Sequence, residues 1–152
     1  KLNAVGSGTV IEYLESAYSQ LDGINFNGGT VNMKHVAAYF AANSGLKMYN
    51  GYQGSMQYVL VMVSFGNTGL DIKGDADEQP RTHPDIRSAT FLGNWPWNLE
   101  PMMSVSSGAG GSLQNVIIQN AETTLRHDHC YAEEHIQGKQ RIPFAFPDYF
   151  FF

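Results

Sequence analysis

The stretch Arg126-His127-Asp128-His129-Cys130-Tyr131, followed by Glu133, Glu134 and His135, gathers more reactive side chains than any other part of the chain. Imidazole, thiolate and carboxylate groups are zinc ligands, so His127, His129, Cys130 and His135 form the candidate metal set. Local geometry limits them. On a strand, His127 and His129 share one face and Cys130 lies on the other; on a helix, Cys130 nears Glu134 and His127 nears Tyr131. Neither conformation collects four ligands, so a zinc site needs a further ligand from elsewhere. The plainer reading is a polar strand or turn, and no cofactor is expected. A Cys–His nucleophile is the other option, but such partners are usually spatial neighbours from different elements. Cys130 therefore reads as a structural thiol.

Elsewhere the chemical signals are weaker. Asp75, Asp77, Glu78 and Asp85 sit in the polar loop 74–87 with Pro80 and Pro84. Hard oxygens suit calcium, but the glycine and closing glutamate of an EF-hand are absent, and a solvated acidic loop is the simpler account. The glycine-rich Ser106–Ser112 has no lysine after it and is no phosphate loop. No Gly-x-Ser-x-Gly elbow occurs. His35 reads as a surface histidine, because no second ligand has helical spacing to it. Trp95-Pro96-Trp97 is a rigid aromatic unit: it suits core or interface packing, or a platform for stacking sugars.

The elements that would position these groups follow from composition and pattern. The 152 residues suffice for one domain with a real core. They are 43% hydrophobic and only 15% charged, against about a quarter charged in an average domain. The net charge of −5 shows no footprint for nucleic acid on the chain itself. One cysteine excludes an internal disulfide framework, and no apolar run approaches the ~20 residues that span a bilayer. The chain opens at Lys1 without a signal-like segment, which suggests a processed or incomplete chain.

Thr9 and Glu12 have capping-box spacing, and Val10, Leu14, Ala17, Tyr18 and Leu21 recur at three- and four-residue steps. That predicts a helix over 9–21. Met33, Val36, Ala37, Phe40 and Ala41 predict a second over 32–43, stopped by Gly45. The stretch from Ser55 to Phe65 is rich in β-branched and aromatic residues and lacks Gly or Pro, predicting a central strand. Short strands are expected at 70–73, 88–92, 113–119 and 140–146. No repeat of 20 to 50 residues is apparent. The expected fold is mainly β: an antiparallel, jelly-roll-like β-sandwich over 1–143 with one or two helices in its N-terminal third.

Residues 144–152 are expected to form an aromatic arm. Burying one aromatic ring removes 150–250 Å2 from water, so this tail must pack on its own domain or on a neighbour. The expected assembly interface is Trp95, Trp97, Phe144, Phe146, Tyr149, Phe150, Phe151 and Phe152.

Two resemblances extend this reading. His35-Val36-Ala37-Ala38-Tyr39-Phe40, Gly51-Tyr52-Gln53-Gly54-Ser55-Met56-Gln57-Tyr58 and Arg141-Ile142-Pro143-Phe144 resemble elements of picornavirus-like capsid proteins, including those of dicistro-like viruses. The resemblance implies a structural subunit of an icosahedral virion, self-assembling in the host cytoplasm around an RNA genome. It implies other capsid subunits and a host receptor as partners, and no enzymatic residues. His127-Asp128-His129-Cys130-Tyr131 resembles the His-Asp-x-Cys-Tyr signature of calcium-dependent secreted phospholipases A2, with Gly110-Gly111 upstream. It implies His127 activating a water and Asp128 helping to hold calcium. That family's second cysteine and its Tyr-Asp-x-Cys segment are missing here. A carbohydrate-binding module using Trp95 and Trp97 is the third reading.

Overall fold

The computed structural model describes residues 1–65, 67–75, 79–94, 96–97, 100–128 and 144–151, the last stretch as backbone alone. Among the described residues twelve strands alternate between two sheets. The first sheet takes β1 (Leu2–Val5), β3 (Ile24–Gly29), β5 (Ser44–Tyr49), β7 (Thr68–Lys73), β9 (Met103–Ser106) and β11 (Leu125–Asp128). The second takes β2 (Val10–Ala17), β4 (Asn32–Tyr39), β6 (Ser55–Met62), β8 (Asp85–Leu92), β10 (Gly111–Gln119) and β12 (Phe144–Phe151). Every pairing is parallel and joins a strand to the next one in its own sheet. The chain is therefore a parallel β-solenoid, each coil stacking one rung on each sheet. The antiparallel jelly-roll sandwich expected from the sequence is wrong, and the described residues contain no helix.

The error has a physical cause in the second sheet. Each of its first five strands carries one non-glycine residue in the left-handed region: Tyr13, His35, Tyr58, Ser88 and Asn115, with φ between 53° and 60°. These positions stack in register from β2 to β10. A left-handed residue inserts an extra outward position, so strict alternation fails. The inward residues become Ile11 and Leu14, Met33 and Val36, Met56 and Val59, Ile86 and Ala89, Leu113 and Val116. Apolar residues three apart imitate a helical face. The segments 9–21 and 32–43, expected as helices, are instead β2 and β4 with their flanks.

The repeat was hidden for a related reason. The inward pattern recurs from Ile11 to Leu113, but the eleven residues between β7 and β8 and the ten between β8 and β9 spoil a fixed period. Inside, the columns are almost wholly apolar. Leu46, Met48, Leu70, Ile72, Ile86 and Phe91 are completely buried between the sheets. Tyr52 is also completely buried, packs its ring 4.7 Å from that of Phe26, and donates its hydroxyl to the Val31 carbonyl at 2.8 Å. Burial raises its phenol's pKa; the hydrogen bond keeps the buried hydroxyl satisfied. Residues 144–151, expected as an arm, lie alongside β10 as a further parallel rung, from Gly111↔Phe144 to Ile118↔Phe151.

Candidate functional site

The left-handed column determines what the second sheet shows to solvent. Because each such residue adds an outward position, two neighbouring side chains per strand face out instead of one. On β2 these are Glu12 and Tyr13, on β4 Lys34 and His35, on β6 Gln57 and Tyr58. Parallel register stacks like positions into straight columns. Tyr13 and His35 stack with centroids 4.5 Å apart and planes 1° apart, and His35 and Tyr58 follow at 4.9 Å and 19°. Three rings thus form a rib along the solenoid. His35 is exposed, on a strand and not on the expected helix, and it is the middle ring of the rib.

Beside the rib lies a groove of about 400 Å3, lined on its polar side by Glu12, Asn32, Lys34, Gln57, Asp85 and Arg87. Asn32 Oδ1 accepts from both the amide and the hydroxyl of Ser55, at 2.9 and 2.8 Å. Arg87 donates through Nε and Nη2 to Asp85 Oδ2 at 2.9 and 2.6 Å, and Ser112 donates its hydroxyl to Asp85 Oδ1. Partial burial pushes the Asp85 carboxyl up. Hydrogen bonds from Arg87 and Ser112, and the charges of Arg87 and His83, outweigh it and hold the group below the usual carboxylate range. Lys34 and Glu12 have no ion-pair partner among the described residues. The groove therefore offers an uncommitted ammonium, a partly committed guanidinium, amides and hydroxyls. It can neutralise carboxylates and hydrogen-bond hydroxyls on an extended ligand.

Neither Lys34, Gln57 nor Arg87 stood out in the sequence, where each is an isolated polar residue. Their common column emerges only once the recurring inward pattern from Ile11 to Leu113 is aligned.

The residues singled out by sequence fall elsewhere. His127 and Asp128 lie at the end of β11. Register aligns His127 with buried Val105 and Asp128 with Ser106, on opposite faces of the strand. Arg126 Nε holds Asp128 at 2.8 Å. The phospholipase-like arrangement, which needs a His-Asp pair serving one site from a helix, is not formed. His129, Cys130 and His135 lie outside the described residues, as do Trp95 and Phe152. Among the described residues no three His, Cys, Asp or Glu side chains come close enough to hold a metal ion. Trp97 is exposed and meets Phe65 edge-on at 6.4 Å. Phe144, Phe146, Tyr149, Phe150 and Phe151 belong to the backbone of β12.

The family model described as a pectate-lyase-like β-helix domain matches residues 1–144. No curated protein and no solved structure matches the chain. The family match and the parallel solenoid together overturn the capsid resemblance and the capsid function drawn from it. Two of the segments that carried the resemblance, 35–40 and 51–58, are rungs and corners of the coil. His35–Phe40 runs from the rib to the end of β4, and Gly51 is a left-handed corner (φ 78°) leading into β6. At that corner a Cβ would meet the Pro80 carbonyl oxygen at 2.6 Å. Arg141–Pro143 lies outside the described residues.

Proposed function

The chain belongs to the pectate-lyase-like β-helix domain family, and from that premise we propose that it binds an acidic polysaccharide in the groove on the outer face of the second sheet. The observation that carries this reading is the pair of cations, Lys34 and Arg87, facing one groove, with Lys34 unpaired among the described residues. Carboxylates on a sugar chain are the matching charge. Asn32, Gln57 and Ser55 supply neutral donors and acceptors for the hydroxyls between them. The net charge of −5 opposes an acidic ligand at long range. Such repulsion is screened beyond about 8 Å at physiological ionic strength, so attraction has to come from close contacts within the groove.

The test is affinity electrophoresis in gels containing polygalacturonate or a neutral glucan. Polygalacturonate should retard the protein and the glucan should not. Lys34→Ala together with Arg87→Ala should remove the retardation. Equal retardation by both gels, or none lost in the double variant, would contradict the proposal. Ultraviolet absorbance of an unsaturated uronide product, followed in the same mixtures, reports whether the bound chain is also cut.

A further inference from the structure

One column of the groove carries an order that the general reading does not use. Register places Glu12, Lys34, Gln57, Arg87 and Gln114 in a single file, one residue per rung. Along it the side chains alternate: anion, cation, amide, cation, amide. Parallel rungs are about 4.8 Å apart, so the two cations are about 10 Å apart. A pyranose linked through opposite sides of its ring advances a sugar chain by a length close to one rung. A chain lying along the solenoid axis therefore sets one sugar over each rung.

We infer that the groove selects acidic polysaccharides built on a disaccharide repeat, in which a charged sugar alternates with an uncharged one. This inference rests on the groove being an acidic-polysaccharide site. The carboxylates of such a chain meet Lys34 and Arg87, and its neutral sugars meet Glu12 and Gln57 within the groove lining, with Gln114 the next residue of the column beyond it. Arg87 keeps Asp85 through Nε and Nη2, which leaves Nη1 for the ligand. A homopolymeric uronide whose carboxylates all face the sheet sets one over Glu12, where like charges repel. It sets another over Gln57, which has an amide donor but no charge. The Tyr13–His35–Tyr58 rib runs parallel to the column and keeps the sugar chain along the axis.

The test is calorimetric titration of the full chain with two oligosaccharides of equal length. One alternates glucuronic acid with N-acetylhexosamine; the other is oligogalacturonate. Wild type should bind the alternating ligand about tenfold more tightly, the worth of one favourable charged contact. Gln57→Lys should bring the homopolymer to equal or greater affinity. Homopolymer bound as tightly as the alternating ligand by wild type would overturn the inference while leaving the groove proposal standing. So would a preference that Gln57→Lys does not change. Binding of neither ligand would overturn both.

Discussion

The two outer faces of the solenoid are built by the same stacking rule and differ in how completely their charges are paired. On the first sheet, Lys47 and Asp71 occupy neighbouring rungs of one column and pair at 3.3 Å. Arg126 is shared between Glu100 at 3.7 Å and Asp128 at 2.8 Å. Asn3, Asn27 and Asn50 pass amide hydrogen bonds from coil to coil at 3.1 and 2.6 Å. On the second sheet, Glu12 and Lys34 also occupy neighbouring rungs of one column, yet no ion pair joins them. The extra outward residue places a ring beside Glu12, Lys34 and Gln57 there, and Ser88 beside Arg87. The comparison teaches that charge on a solenoid face is uninformative until its pairing is known. Charges that satisfy one another keep a face solvated, and unpaired charges in register are available to a ligand.

The largest effect that separates the faces is on binding. Lys34→Ala or Arg87→Ala should each weaken binding of an acidic oligosaccharide about ten- to hundredfold, since hydrogen bonds to charged groups contribute about 1.5–3 kcal/mol. Lys47→Ala on the opposite face should leave affinity unchanged. Titration calorimetry on the three variants checks this, and an equal loss in Lys47→Ala would erase the distinction between the faces.

Next in size is the left-handed rib. Tyr58→Val forces a β-branched residue into a conformation with φ 60° and should cost about 1–3 kcal/mol in urea unfolding. Tyr58→Gly relieves that backbone strain and should cost less. If both cost the same, the ring stack and not the backbone governs the strand.

A third prediction concerns acid. Because the Asp85 carboxyl is held below the usual range in the folded state, its contribution is present above the unfolded-state pKa and is lost as pH falls through the lower folded value. Wild type should lose more stability than Asp85→Asn across that acidic window. Parallel pH profiles for the two would assign the acid sensitivity to other groups. Smallest is the pair on the opposite face. Lys47→Ala should change stability by no more than about 1 kcal/mol, because both partners remain partly solvated.

How much of this the sequence carried depends on which spacing is read. The β character of Ser55–Met62 was legible, because the stretch is rich in β-branched and aromatic residues and carries no Gly or Pro. At Ile11/Leu14 and Met33/Val36 the same inward pattern looked helical, since Tyr13 and His35 adopt backbone angles rarely found outside glycine and asparagine. Nothing in the identity of a tyrosine or histidine announces that conformation. The clustering of His127 to His135 drew attention because the residues are adjacent in sequence. Glu12, Lys34, Gln57 and Arg87 are far apart in sequence and neighbours only through parallel register. A parallel sheet makes its sites from residues one coil apart, so local motifs are the wrong unit in which to look for them.

The most direct test of the account is to map where an acidic oligosaccharide touches the protein, by following backbone amide shifts in an NMR titration. The account predicts that shifts concentrate along 12–13, 34–35, 57–58 and 87–88, on successive rungs of the second sheet, while Lys47, Asp71 and Ser104 stay still. Shifts centred on the opposite sheet, or scattered without regard to rung, would contradict it.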